Sequence, residues 1–198
     1  MLNTAFKAWR IRLVTAHPFD GLFLLSSYAV KDAILMRPFT PSDIQSLMGI
    51  QSACYPANLL EEAEHLTAKH QQSPSSCWVA TQHQHVLAYL LTHPWSGDTP
   101  PALNAPLPTP NQSCDIYFIH DLAVHPSARG LGLAQQLLDT ALKWARQEKL
   151  QKIRLIAIAG AANFWIKQGL SPVKNVNKDL SRKLADYGTD THYLEAAI

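Results

Sequence analysis

The strongest periodic pattern in the chain runs from Ala134 to Ala145. Ala134, Leu137, Leu138, Ala141, Leu142 and Ala145 recur at the three- and four-residue spacing of one helix face. Gln135, Gln136, Asp139, Lys143, Arg146 and Gln147 fall on the opposite face. The pattern predicts a long helix from about Gly130 to Lys149. Ahead of it, the apolar run from Asp115 to Val124 predicts a strand that ends at His125-Pro126. Behind it, Ile153 to Ala159 predicts another strand. A short helix from Asn163 to Gln168 follows and is stopped by Gly169.

The first half of the chain is read the same way. Ile34 to Arg37 suits a strand. Pro41 opens a helix that Thr40 or Ser42 caps, and that helix turns Ile44, Leu47, Met48 and Cys54 inward. The segment Cys54-Tyr55-Pro56-Ala57-Asn58 interrupts it, and a second helix runs from Leu59 to about His70. Cys77 to Thr81 and Val86 to Thr92 predict two strands joined through Gln82-His83-Gln84-His85. Pro94, Pro100, Pro101, Pro106, Pro108 and Pro110 then exclude a helix or a central strand, so a long loop is expected. Val173 to Val176 and Thr191 to Ala196 read as short closing strands. Helices and strands alternate throughout, which gives an α/β fold with a mixed sheet in one domain, residues 34–198.

Composition narrows the partners. The chain has 198 residues, of which 47% are hydrophobic, enough for a substantial core. A formal net charge of +2 argues for no nucleic acid partner. No apolar run reaches the roughly 18 residues of a membrane span, so no membrane partner is expected. Cys54, Cys77 and Cys114 are widely spaced and form no C-x-x-C pair, which favours a reducing, cytoplasmic setting. His83 and His85 lack third and fourth ligands nearby, so no metal is expected. Residues 1–33 carry Lys7, Arg10 and Arg12 ahead of the apolar patch Leu22-Phe23-Leu24-Leu25. A targeting peptide is one reading; Asp20 and Gly21 interrupt it, and a loosely ordered N-terminal extension is the other. Met36 is a second candidate start.

The turn Arg129-Gly130-Leu131-Gly132-Leu133-Ala134 carries the candidate chemistry. Its glycines permit positive φ and close backbone approach, and the N–H groups of the helix start favour an anion. There is no G-x-x-x-x-G-K-[ST], and position 135 is Gln, so the common nucleotide-phosphate motifs are absent or incomplete. A glycine turn with no ligand is the competing reading.

With Arg129, Gly132 and Ala134 in its three defined positions, this turn resembles the Q/R-x-x-G-x-G/A acetyl-CoA loop of the GNAT N-acetyltransferase superfamily. Leu122-Ala123-Val124-His125-Pro126 resembles the family's preceding strand and its exit. Phe164-Trp165-Ile166-Lys167-Gln168-Gly169-Leu170 resembles a later helix and turn. Together with the element order, the resemblance spans about four fifths of the chain. It implies a GNAT-like mixed, mostly antiparallel central sheet flanked by helices, and transfer of an acetyl group from acetyl-CoA to a primary amine of a small molecule or protein. It further implies that backbone groups of Leu122 and Val124, with Ala123 between them, pair with the pantetheine and acetyl end. Amides of Arg129, Gly130, Leu131, Gly132, Leu133 and Ala134 would hold the pyrophosphate, and Asn163 would bond the pantetheine arm.

Acetyl transfer needs a base to free the amine. His120 stands where several family members carry a glutamate base, and a histidine, with a reference pKa of about 6.5, suits the role. Asp121 is the alternative base, and solvent is a third. Adjacent strand residues face opposite ways, so His120 and Asp121 are not expected to share a face. Trp165 falls where many members have a tyrosine acid, which leaves water or another tyrosine, such as Tyr187, for that task. Tyr55, Asn58 and the proline-rich loop are candidate walls for the acceptor. A catalytically weak acyl-CoA-binding module of the same fold is the alternative function, and a homodimer is left open.

Overall fold

The computed structural model describes residues 33–108, 114–158, 160–174 and 176–198. Residues 1–32 of the expected extension, Pro110 of the loop and Ala159 at the end of a predicted strand lie outside them. The strands are β1 (Leu35–Pro38), β2 (Trp78–Gln82), β3 (His85–Trp95), β4 (Ile116–Val124), β5 (Lys152–Ala157), β6 (Ser171–Pro172) and β7 (His192–Ala197). They form one sheet in the order β1-β2-β3-β4-β5-β7-β6. Neighbours are antiparallel except β4 and β5, which are parallel. This is the mixed sheet expected from the alternation of elements, and the mostly antiparallel one that the family resemblance implies.

Alternation along the strands sorts side chains into two layers. Val79, Tyr89 and Leu91 pack on one side with Leu47 and Ile50 of α1 (Ile44–Cys54) and Leu66 of α2 (Ala63–Gln72). Ala80, Leu90, Tyr117 and Ile119 pack on the other side. There they meet Leu133, Leu137, Leu138, Ala141 and Ala145 of α3 (Leu133–Gln147) and Trp165 of α4 (Ala162–Lys167). α5 (Lys178–Ala185) sets Leu180 against Phe118 and Tyr193.

Local chemistry fixes several boundaries. Arg37 makes a bidentate pair with Asp43, at 2.7 Å through each oxygen, and Asp43 also accepts from Thr40 N at 2.8 Å. That ties β1 to the start of α1. His83 and Gln84 both have positive φ, 48° and 69°, which closes the β2–β3 hairpin with a two-residue turn matching strand twist.

Four boundaries differ from the sequence reading. α3 begins at Leu133, not Gly130, because Gly130 and Gly132 have φ of 86° and 70°, outside any helix, and it ends at Gln147, short of Lys149 at φ 59°. The second helix starts at Ala63 rather than Leu59; a single 3-10 turn at Ala57–Leu59 precedes it. β3 runs through Pro94, opposite Tyr117 of β4. Pro94 is tolerated because β2 accompanies β3 only as far as Leu90, so the missing N–H has no second ladder to serve. Of the expected strand at Val173–Val176, Asn175 lies outside the described residues and Val173, Lys174 and Val176 are not in a strand; two paired residues, Ser171–Pro172, precede them and α5, which the sequence did not announce, follows. Asn177 caps α5 by accepting from Leu180 N at 2.8 Å, and its single buried residue, Leu180, is too sparse a pattern to read.

Candidate active site at a split between two strands

β4 and β5 pair only from Ile116–Lys152 to Ile119–Leu155. Both strands continue beyond that point, and a cavity of about 510 Å³ opens between them. The cause lies on β4. Leu91 of β3 faces Asp121 and Thr92 faces Ile119, so His120 is an extra residue, a β-bulge. A bulge bends and twists its strand, and here the strand turns away from β5 at that residue.

Backbone groups line the split. His125 N donates to Leu87 O at 2.9 Å, and the antiparallel ladder alternates, so Asp121, Ala123 and His125 direct their backbone groups at β3. Leu122 and Val124 therefore present theirs toward the cavity, which both residues line. Cys54 Sγ donates to Val124 O at 3.3 Å; burial raises the Cys54 pKa, against the opposing pull of nearby Arg129. Val124 N–H remains directed at the space between the strands, which suits a ligand lying along β4 as an added strand.

The cavity ends at Arg129, where the glycine turn begins. Gly130, Leu131 and Gly132 are exposed, while Leu133 is buried and anchors the turn to the core. Ala134 is half-buried. Gly132 is the N-cap of α3 in a left-handed conformation, so the first N–H groups of the helix face outward without intrahelical acceptors. A positive-φ turn feeding a helix start is a concave set of donors suited to an anion.

The bulge also overturns one expectation. His120 and Asp121 share a face, because the extra residue breaks the two-residue alternation. Both turn toward the α1–α2 side. His120 Nε2 bonds the Glu61 carboxylate. Asp121 accepts from Tyr55 Oη at 2.5 Å and from Tyr89 Oη. Tyr89 lies on β3, so one of the two bonds is made within the sheet. Burial raises the Asp121 pKa, and the two phenols pull it back only in part. Burial and the Asp121 charge keep both phenols protonated well beyond the usual tyrosine range.

Glu61, the carboxylate partner of His120, lines the cavity and was not singled out by the sequence. It sits in the loop before α2, and Gln51 of α1 clamps its backbone at both ends, at 3.0 Å through Glu61 N and 2.9 Å through Glu61 O. Its second carboxylate oxygen accepts from Lys69 Nζ at 2.7 Å and from Asn104 N at 2.8 Å. Lys69 is fully buried and also donates to Ala105 O at 3.1 Å. Burial would raise the Glu61 pKa, but His120 and Lys69 outweigh it and hold the carboxyl at about 2. Behind His120 lies His93, with ring centroids 6.1 Å apart. Burial lowers His93 to about 3, so it is neutral, and its Nδ1–H donates to Pro94 O at 3.0 Å.

The other predicted residues divide. Trp165 is buried and lines the cavity, in keeping with packing rather than acid chemistry. Tyr187 lines it too, as do Tyr55 and Asn58 of the expected acceptor wall. Burial, aided by the charge of Glu61, raises the Tyr187 pKa. Asn163 is exposed on α4 and does not line the cavity; a strand-end asparagine would have reached the split, but Asn163 lies inside a helix.

The sequence profile of the Acetyltransferase (GNAT) family matches residues 44–169. No curated protein matches the sequence significantly. Among solved structures, Ard1 from Thermoplasma volcanium superposes with a TM-score of 0.61 at 20% identity, covering 84% of this chain and 98% of its own. The loading GNATL domain of CurA from Lyngbya majuscula gives 0.67 at 11% identity, with coverage of 84% and 98%. The PaiA N-acetyltransferase from Thermoplasma acidophilum, in complex with coenzyme A, gives 0.61 at 12% identity, with coverage of 84% and 99%. At these identities the likeness is one of fold.

Proposed function

Since this chain belongs to the acetyltransferase (GNAT) family, we propose that it moves the acetyl group of acetyl-CoA onto a primary amine of a small molecule or peptide. The observation that carries the reading is the split itself, with a strand edge at Leu122–Val124 that β5 does not pair, an anion-suited turn at Arg129–Ala134 and His120 at its inner end. The coenzyme A bound to PaiA supports a CoA thioester as donor. The expected cytoplasmic setting belongs to the same proposal.

In this reading the strand edge and the turn bind the donor, and no metal is needed. His120 takes one proton from the acceptor ammonium, directly or through one water. The freed amine forms the C–N bond as the C–S bond breaks. The nitrogen's second surplus proton passes to the departing thiolate, and His120 returns the first to solvent. Outward N–H groups of β4 supply donors for the oxygen that becomes negative. Tyr187 lines the cavity and is held protonated; in this reading it relays that second proton, giving its own to the thiolate and taking the nitrogen's in return, in place of the tyrosine that Trp165 displaces.

Thiol release from acetyl-CoA, followed across a panel of small amines and N-terminal peptides with mass detection of products, tests the reading. Amine-dependent release with an acetylated product is the expected result. Tight CoA binding without turnover for every acceptor would contradict it and favour an acyl-CoA-binding module.

A further inference from the structure

The base reading leaves one question about His120: which ring nitrogen meets the acceptor. Nε2 is committed to Glu61. Nδ1 is buried with no protein partner among the described residues. The carboxylate of Glu61 is not free to choose its partners either. Two donors, Lys69 Nζ and Asn104 N, take one oxygen, and His120 takes the other. Gln51 fixes the backbone that carries it.

We propose that Glu61 is a positioning residue for His120, fixing the neutral imidazole as the Nε2–H tautomer so that Nδ1 is the nitrogen that receives the acceptor's proton. The inference rests on the reading of His120 as the base. An ionised carboxylate offers only acceptors, so the neutral ring must present N–H to it and carry its lone pair on Nδ1. When the acceptor's proton arrives at Nδ1, the imidazolium forms beside a fixed negative charge, and Glu61 itself stays ionised. Lys69 neutralises that charge in the resting state, which makes an ionised carboxylate tolerable in a buried position. The remaining titratable groups around the pair are His93 on β3, Asp121 on β4 and Tyr187 beyond α5. His93 is neutral, Tyr187 is protonated, and Asp121 spends its oxygens on two phenols.

The same carboxylate ties the acceptor side to the base. Asn104 N binds Glu61, and Asn104 Oδ1 accepts from Glu62 N at 3.0 Å. The loop after β3 is thus seated on the residue that orients His120.

Glu61→Gln gives a test with a definite sign. An amide has one acceptor and one donor end. Lys69 and Asn104 both donate, so the amide oxygen must face them, and its NH₂ must face His120 Nε2. That forces the imidazole proton onto Nδ1, the wrong nitrogen for a base. The ring nitrogens are read by ¹⁵N NMR of histidine-labelled protein, with His120 assigned from the His120→Gln difference spectrum. The expected result is an Nε2–H ring in the wild type and an Nδ1–H ring in Glu61→Gln. Turnover should fall by about 10²–10⁴-fold with little change in KM for acetyl-CoA, since only the proton step is harmed. Glu61→Gln leaves the Lys69 cation buried, so Glu61→Gln/Lys69→Met restores charge balance should the single variant fail to fold; the same tautomer change is expected. An Nδ1–H ring in the wild type, or an unchanged tautomer and turnover in both variants, overturns the proposal. Near-normal turnover in His120→Gln with an Nε2–H wild type would instead defeat the base reading on which it rests.

Discussion

Gly132 offers the sharpest perturbation of the donor site. It caps α3 at φ 70° and ψ 16°, a left-handed conformation. An added Cβ would meet nothing closer than Gln136 Nε2 at 3.9 Å, so space in the empty protein is not the obstacle. The cost is in the backbone: a residue with a Cβ pays about 1–2 kcal/mol in this region, and a β-branched one more. In Gly132→Ala the turn either keeps its shape and loses that much stability, or relaxes and turns its amides away from the anion. Each charge-assisted hydrogen bond lost with the pyrophosphate is worth about 1.5–3 kcal/mol, which is roughly a ten- to hundredfold weaker Kd. Gly132→Val should relax outright, with its branched side chain at the point where the backbone must approach the ligand. Calorimetric titration with CoA measures this, alongside circular dichroism to confirm folding. Arg129→Ala is the companion, and should cost less because most contacts come from backbone amides. A folded Gly132→Val protein that binds CoA within about twofold of wild type would refute the placement of the pyrophosphate.

Three further outcomes are expected. His120→Ala should lower turnover by about 10²–10⁴-fold and leave CoA affinity nearly unchanged, as steady-state kinetics and calorimetry would show. Asp121→Asn turns one of the two oxygens that accept from the phenols into an NH₂ donor facing a phenol O–H, so thermal stability should drop by about 1 kcal/mol or more while turnover falls less than in His120→Ala. Glu61 titrates at about 2 when folded against 4.5 ordinarily, so its stabilising contribution is present above pH 4.5 and is lost as pH falls toward 2. That contribution is on the order of 3 kcal/mol. Asp121 has the opposite sign, since its raised pKa favours the folded state in acid. Denaturant titrations across this range should show a shallower acid limb in Glu61→Gln than in wild type.

The parts of the site that were legible in the sequence are those built from local pattern. The α3 stripe, the β4 run and the two glycines are contiguous, and each carries its own physical signal, so the strand edge at Leu122–Val124 and the turn at Arg129–Ala134 could be named in advance. What escaped was made by distance or by register. Glu61 lies 59 residues from His120 in the chain, in a loop with no motif, and only the fold brings them together. The bulge at His120 has no glycine to mark it, so the alternation rule put His120 and Asp121 on opposite faces when the structure puts them on one. Tyr89 packs in the core, yet its hydroxyl also holds Asp121, a contact that no local pattern announces. Asn163 lies on a helix that opens at Ala162, away from the end of β5.

The most direct test of the central claim is a crystal structure of the protein with acetyl-CoA bound. The pantetheine should lie along Leu122–Val124 between β4 and β5, the pyrophosphate on the amides of Arg129–Ala134, and the thioester carbonyl at the His120 end of the cavity. A donor bound elsewhere, or a thioester held at the far end of the split from His120, would contradict the account.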